Sequence, residues 1–221
     1  LKQAYRLVLL DLRGRGDSDK PHDPTAYTLE CHVGDLLAVL DALDVNTSHV
    51  FGYSMGGWIC FGMAKHAAQR VRSLIIGGTH PYATSFSAFE GINGSEPDAV
   101  AAALEAFAGE RLSPESRARL LANDLRAIVA SAQDRPSLEE VLPMMRMPCL
   151  LYAGEADSRY PLIEQCTQQI PNVSFVSFPG NHVETLRRSD LVLPHISRFL
   201  QAVEAGVEKA EPDQILSHRR R

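Results

Sequence analysis

The sequence contains little that would indicate a nucleic acid, a membrane or a metal as its partner. Its 221 residues carry 22 Lys and Arg against 27 Asp and Glu, a net charge of −5, with no basic stripe. This balance argues against nucleic-acid binding. We find no apolar run long enough to cross a bilayer, no signal-peptide pattern at the start and no metal-ligand spacing. These features favour a protein that acts on a small molecule away from the membrane.

Cysteine is also scarce and is not patterned. The four residues Cys31, Cys60, Cys149 and Cys166 form no Cys-x-x-Cys pair, and each lies in an apolar or amphipathic stretch. We therefore predict buried free thiols. Such thiols are typical of a reducing compartment, so a cytoplasmic location is expected.

The residues that are present have the composition of a globular domain, with 45% hydrophobic and 22% charged residues. Short apolar runs at 6–11, 48–53, 71–78, 149–153 and 173–178 predict strands, and helical patterns separate most of them. This alternation predicts an α/β protein with a mostly parallel sheet flanked by helices. Residues 81–145 contain no strand-like run and predict a helical insertion, with Ser113 as an N-cap before Pro114.

One motif lies where such sheets place their functional groups, at the carboxyl end of a strand. Residues Gly52-Tyr53-Ser54-Met55-Gly56 match G-x-S-x-G and join a predicted strand directly to a predicted helix. In that setting the turn must be tight, and we expect Gly52 and Gly56 to remove side chains that would collide. Ser54 would then face the mouth of the site. The alternative is a helix N-cap serine in a glycine-rich turn.

A serine nucleophile needs a base and an orienting acid. Of the eight histidines, His182 follows the last strand on a Gly-Asn turn, which suits a base. His80 also follows a strand, and it is expected to line the pocket or to lie in a loop. The stretch after the strand at 149–153 supplies two acids, Glu155 and Asp157, and the residues alone leave both open.

Four blocks, DLRGRGDSDKP, GYSMGG, YAGEAD and PGNH, resemble the α/β-hydrolase superfamily, and the resemblance covers the chain from about Tyr5 to Leu200. It implies an α/β-hydrolase fold with Ser54 as nucleophile, Asp157 as triad acid and His182 as base. It also implies that Met55 gives a backbone amide to the oxyanion hole.

The resemblance also implies a domain organisation. We predict a core at residues 1–80 and 146–205, a helical cap at 81–145 that shapes the substrate pocket, and a disordered polar tail at 206–221. Tyr53, His80 and Tyr82 are predicted to contribute to substrate binding. Other aromatic and Met side chains of the cap fit either an acyl pocket or simple core packing: Phe86, Phe89, Phe107, Met144 and Met145.

The predicted function is hydrolysis of a small-molecule carboxylic ester or thioester through an acyl-enzyme, with no cofactor, no nucleic acid and no membrane; the sequence does not indicate an oligomeric state. One alternative is a non-catalytic small-molecule binding module on the same scaffold. The other is a C–C bond hydrolase or perhydrolase that uses the same triad. Reaction with a fluorophosphonate would separate a hydrolase from a binding module.

The early Gly-rich loop contains Arg15-Gly16-Asp17, which on its own looks like a cell-adhesion motif. In context it is part of Asp-x-Arg-Gly-x-Gly-x-Ser, beginning at Asp11, a loop that the superfamily commonly carries. We predict that Arg13 and Asp11 bind the loop backbone and that the adhesion reading is wrong.

The sequence contains no His-Gly pair, although the superfamily normally has such a loop to supply the second oxyanion amide. The chain also begins with Leu1 rather than Met. We therefore expect the first strands and that loop to precede Leu1. Without them, we expect residues 1–221 to be poorly soluble and close to inactive.

Overall fold

The computed structural model describes residues 1–206. The predicted tail at 206–221 lies, apart from Gly206, outside the described residues. The helices and strands are α1 (Leu29–Ala42), β1 (Ser48–Tyr53), α2 (Met55–His66), β2 (Val71–Gly77), α3 (Pro97–Ala108), α4 (Pro114–Leu121), α5 (Leu125–Ser131), β3 (Cys149–Gly154), α6 (Tyr160–Thr167), β4 (Val173–Phe178), α7 (His182–Arg187) and α8 (Ser189–Glu204).

The described residues divide into two compact units. The first comprises Leu1–Asn46 and Tyr82–Leu138, and the second comprises Thr47–Pro81 and the chain from Glu139 onward. The first unit therefore groups the N-terminal loop with the helical insertion, whereas the sequence places residues 1–80 in the core. The core-and-cap division at residues 81 and 145 stays a prediction.

The second unit contains a four-stranded parallel sheet in the order β1-β2-β3-β4. The predicted fold class is confirmed. The central strands β2 and β3 are almost wholly buried, which explains why they appear in the sequence as continuous apolar runs. Because all four strands are parallel, their carboxyl ends meet at one edge of the sheet, and the residues that follow them can converge there.

The prediction of a strand at residues 6–11 is wrong: the structure describes these residues and contains no strand there. These residues adopt no regular structure, and they lie outside the sheet. Their apolar side chains are exposed, with Leu9 at 89%. A strand is stabilised by hydrogen bonds to a neighbouring strand, and none of the four described strands pairs with this segment. An apolar run alone could not reveal that.

The loop that contains Arg15-Gly16-Asp17 is held within the first unit. The Arg15 guanidinium donates to Ser131 Oγ at 3.0 Å, so this arginine is not free for a receptor. Asp11 accepts from Asp17 N–H at 3.0 Å, and a Cβ on Gly16 would lie 2.0 Å from Asp11 Oδ2. Gly16 also has a φ of +51°, which suits glycine.

Arg13 ties the same loop to α1. Its guanidinium forms a two-point contact with the Asp35 carboxylate, at 2.7 and 2.6 Å, and it donates to the carbonyl of Ala26. The sequence predicted backbone binding by Arg13 but not its carboxylate partner on α1. Both contacts make this segment a structural support rather than an adhesive loop.

The helical insertion has its own apolar core. Phe86 and Phe89 are buried against α3 and α5, and the Phe86 and Phe107 rings stack with centroids 4.3 Å apart. Phe86 and Phe89 also line a groove of about 640 Å³ within the first unit, whereas Met144 is exposed. The predicted Ser113 cap is confirmed, because its side chain accepts from Ser116 N–H and Pro114 begins α4.

The helix α8 runs unbroken from Ser189 to Glu204 with Pro194 inside it. Within residues 1–206, no helix combines the length and the apolar character needed to cross a membrane.

Candidate active site

Ser54 lies at the sharp turn between β1 and α2. Its backbone has φ +53° and ψ −113°, a conformation that residues with a Cβ rarely adopt. Ser54 occupies the N-cap position of α2, but its side chain makes no capping hydrogen bond. The N-cap alternative therefore does not account for this serine. The strained turn presents the hydroxyl at the carboxyl edge of the sheet instead.

The glycines around Ser54 have different functions. A Cβ on Gly52 would lie 2.1 Å from the carbonyl oxygen of Gly56, so only glycine fits there. A Cβ on Gly56 would meet nothing within 4 Å, and the prediction that Gly56 avoids a collision is wrong. Sequence reasoning did not single out Gly57, but its α-carbon packs against the end of β2 and the residues after it. A Cβ there would lie 2.5 Å from Thr79 Cγ2 and 3.1 Å from Ile76 Cγ2.

We expect Gly52→Ala to destabilise the protein by about 2–4 kcal/mol, because the added methyl overlaps backbone that cannot move away. Gly56→Ala is the matched control. It adds the same methyl to the same motif in open space, and it should change stability by less than about 1 kcal/mol. Urea unfolding followed by circular dichroism measures both. Equal losses would show that the close approach at Gly52 is not the constraint.

His182 joins the serine to an acid. Its Nε2 lies 3.1 Å from Ser54 Oγ, and its Nδ1 lies 2.7 Å from Asp157 Oδ2. Ser54 follows β1, Asp157 follows β3 and His182 follows β4. The parallel sheet therefore brings together side chains that are up to 128 positions apart in the sequence. The imidazole is 14% exposed and the Asp157 carboxylate 0%. This is the geometry expected of a base that one acid orients toward one hydroxyl.

The environment of Asp157 keeps its carboxylate charged. Burial would raise the pKa of the Asp157 carboxyl, but hydrogen bonding to His182 and to the Arg159 backbone, together with their charges, outweighs burial, so the pKa lies below its ordinary value. The Arg159 backbone N–H and guanidinium both reach Oδ1, at 3.0 and 3.2 Å. Glu155 is exposed and accepts from Ser177 Oγ at 3.0 Å instead. The geometry thus separates the two acids that the residues alone left open.

His182 is the first residue of α7, where two local features fix its backbone. Asn181 caps the helix by accepting from Glu184 N–H, and the Glu184 carboxylate accepts from Asn181 N–H in return. Gly154 at the end of β3 lets this turn approach closely, because a Cβ there would lie 2.3 Å from the carbonyl oxygen of Gly180.

The other predicted site residues have different surroundings. Met55 begins α2, so its N–H has no partner within the helix and lies at the positive end of the helix dipole. Tyr53 lies against His182, with ring centroids 5.0 Å apart. His80 follows β2 in the same unit and is half-buried, whereas Tyr82 belongs to the first unit. Their roles in substrate binding stay predictions.

A second Ser–His–acid chain, which sequence reasoning missed, lies inside the same sheet. His49 Nδ1 is 2.7 Å from Ser73 Oγ, and His49 Nε2 is 2.9 Å from Glu204 Oε1. Ser73 is 0% exposed in the body of β2, so no substrate can reach it. The register pairs His49 with Ser73 across the sheet, and only this pairing reveals the contact. This chain links α8 to β1 and β2.

Within residues 1–206, no group of three or more His, Cys, Asp and Glu side chains is arranged to hold a metal ion. The fold and the site together define a parallel α/β protein with a serine on a strained strand–helix turn, in contact with a histidine–aspartate pair.

Comparisons with known proteins agree with this fold. Residues 1–102 match the family model described as the alpha/beta hydrolase fold. Over 75 residues, 34% of this chain and 21% of the relative, the sequence is 36% identical to epoxide hydrolase 4 of Mus musculus, so the chain spans only about a fifth of that protein. It is 25% identical to 3-oxoadipate enol-lactonase 1 of Acinetobacter baylyi over 228 residues, which cover 92% of this chain and 82% of the relative.

Among solved structures, a hydrolase from Pseudomonas aeruginosa superimposes with a TM-score of 0.73 at 26% identity, covering 86% of this chain and 77% of that one. The chain has the α/β-hydrolase fold.

Proposed function

We propose that this protein hydrolyses a small-molecule carboxylic ester or thioester through an acyl-enzyme on Ser54. Ser54 Oγ attacks the carbonyl carbon while its proton passes to His182 Nε2. The negative oxygen of the tetrahedral intermediate accepts a hydrogen bond from Met55 N–H. Its collapse expels the alcohol or thiol, which takes the proton from His182. Water then attacks the acyl carbon while its proton passes to His182. The bond to Ser54 Oγ breaks, Ser54 takes the proton back from His182, and the acid is released.

The observation that carries this proposal is the continuous contact from Ser54 Oγ through His182 to Asp157, at 3.1 and 2.7 Å. A serine hydroxyl is a weak nucleophile unless a base within hydrogen-bond reach takes its proton. The buried, charged carboxylate of Asp157 stabilises the imidazolium that forms at that moment. Met55 supports the proposal as well, because a helix N-terminus favours negative charge.

A lactone is an internal ester, and the similarity to a protein named 3-oxoadipate enol-lactonase 1 makes lactones a specific candidate within this class. In that case the alcohol leaving group stays attached to the acyl chain. The same residues perform the same proton transfers, and the product is one hydroxy or keto acid.

The relative named epoxide hydrolase 4 points to another chemistry, which Ser54 does not suit. An epoxide has no carbonyl carbon, so attack by a serine hydroxyl would form an ether rather than an acyl ester. An ether offers no carbonyl for the water that must regenerate Ser54. A carboxylate nucleophile would avoid this dead end, but the residue in the contact with His182 is a serine.

We expect hydrolysis across a series of p-nitrophenyl esters of graded acyl length, with one region of chain length preferred. The screen should include a γ- and a δ-lactone, followed by pH-stat titration, and an epoxide as negative control. Turnover of the epoxide with none of the esters would contradict the proposal. A folded chain that turns over no ester and does not react with a fluorophosphonate would support the alternative, a binding module.

A cytoplasmic location and action without a cofactor are part of the proposal.

A further inference from the structure

The residue that precedes the nucleophile is in direct contact with the base. The Tyr53 hydroxyl donates to the backbone carbonyl oxygen of His182 at 2.6 Å. The Tyr53 and His182 rings lie 5.0 Å apart with a tilt of 39°. We propose that Tyr53 is a positioning residue that holds His182 in place for proton transfer, rather than a residue that binds substrate. This inference rests on the proposed function of Ser54 and His182.

The surroundings of Tyr53 are shaped to hold its ring at this position. A Cβ on Gly77 would lie 2.5 Å from Tyr53 Cδ2, and one on Gly78 would lie 2.6 Å from Tyr53 Cζ and 3.0 Å from His182 Cε1. Gly77, the last residue of β2, and Gly78 after it thus leave space for the tyrosine ring and the imidazole together. Gly78 also has a φ of +62°. The absence of side chains at these two positions lets the Tyr53 ring lie against the imidazole.

The hydrogen bond closes a small loop of contacts around the reacting atoms. Tyr53 is covalently joined to Ser54, and its hydroxyl is bonded to the backbone of His182. Two contacts therefore join this segment to His182. The Ser54 hydroxyl lies 3.1 Å from the His182 side chain, and the Tyr53 hydroxyl binds the His182 backbone. The Asn181 cap fixes the helix that carries His182 but does not tie it to β1. The Tyr53 contact does.

The Tyr53 hydroxyl has one proton, and it is directed at the His182 carbonyl. A substrate that needed a donor from Tyr53 would have to break this bond. The prediction from sequence that Tyr53 binds substrate therefore gives way here to a function that acts through His182.

The test compares Tyr53→Phe, which keeps the ring and removes the hydroxyl, with wild type. We expect kcat for the best p-nitrophenyl ester and the rate of fluorophosphonate labelling to fall about three- to tenfold, with KM unchanged. The proton between His182 Nδ1 and Asp157 should also lose its sharp downfield ¹H resonance, because a loosened imidazole exchanges that proton with water faster. Tyr152→Phe is the matched control: its ring lies 5.8 Å from that of Tyr53, and kcat should stay within about twofold.

A raised KM with unchanged kcat would overturn the proposal in favour of substrate contact. Unchanged kcat, labelling and resonance would overturn it in favour of packing alone. The resonance keeps this test separate from the proposed function. If the wild-type chain neither hydrolyses esters nor reacts with the probe, the proposed function fails. The comparison of the two spectra still decides whether Tyr53 positions His182.

Discussion

Replacing Ser54 with Ala should abolish ester hydrolysis, reducing kcat by about 10⁴-fold or more, and should eliminate labelling by a fluorophosphonate. The physical reason is that, within residues 1–206, the hydroxyl in contact with His182 Nε2 is that of Ser54, at 3.1 Å. The fold should survive, because the Ser54 side chain caps no helix. Stopped assays over hours, with intact-mass measurement of the labelled chain, determine both effects.

Ser73→Ala is the control that makes this result specific. Ser73 also touches a histidine that is paired with a carboxylate, at 2.7 Å to His49, but it is fully buried. Ser73→Ala should leave labelling intact and cost about 1–3 kcal/mol of stability, since it removes the hydroxyl that contacts His49 Nδ1 inside the sheet. If labelling survives in Ser54→Ala and disappears in a folded Ser73→Ala, the site is assigned to the wrong serine.

Asp157→Asn should lower kcat by about three to four orders of magnitude while KM changes little. An amide that faces His182 Nδ1 can donate to it, which favours the tautomer with the proton on Nε2. That nitrogen then cannot accept the proton of Ser54. Asparagine also removes the negative charge that stabilises the imidazolium at 2.7 Å. Steady-state kinetics on the best ester measure the loss.

Glu155→Gln provides the comparison, since it makes the same change of charge two residues away. The Glu155 side chain is recorded in contact with Ser177 rather than with His182, so kcat should stay within about threefold of wild type. A severe loss in Glu155→Gln together with a mild one in Asp157→Asn would exchange the functions of the two acids.

The parts of the fold that the sequence predicted are those governed by local pattern. The apolar run before Ser54 and the Ser113-Pro114 cap each produced the expected element. The convergence of Ser54, Asp157 and His182 could be anticipated because each lies in the turn that follows a strand of a parallel sheet. That rule depends on topology, and the alternation of strands and helices predicts the topology.

The errors concern properties that depend on pairing. Residues 6–11 have the pattern of a buried strand, but a strand needs a neighbour, and the segment lies outside the described sheet. The Ser73–His49 contact depends on the register between β1 and β2, which the alternation of side chains along one strand does not determine. Gly56 belongs to the G-x-S-x-G motif, but a side chain there would meet nothing. Gly57 lies outside the motif, and a side chain there would collide with its neighbours.

The most direct test of the central claim is to locate the covalent adduct. The protein is treated with a fluorophosphonate, digested with trypsin, and its peptides are sequenced by tandem mass spectrometry. The account predicts one phosphonylated residue, Ser54, and complete loss of the adduct in Ser54→Ala. A folded protein with no adduct, or an adduct at another residue with Ser54 unmodified, would contradict it.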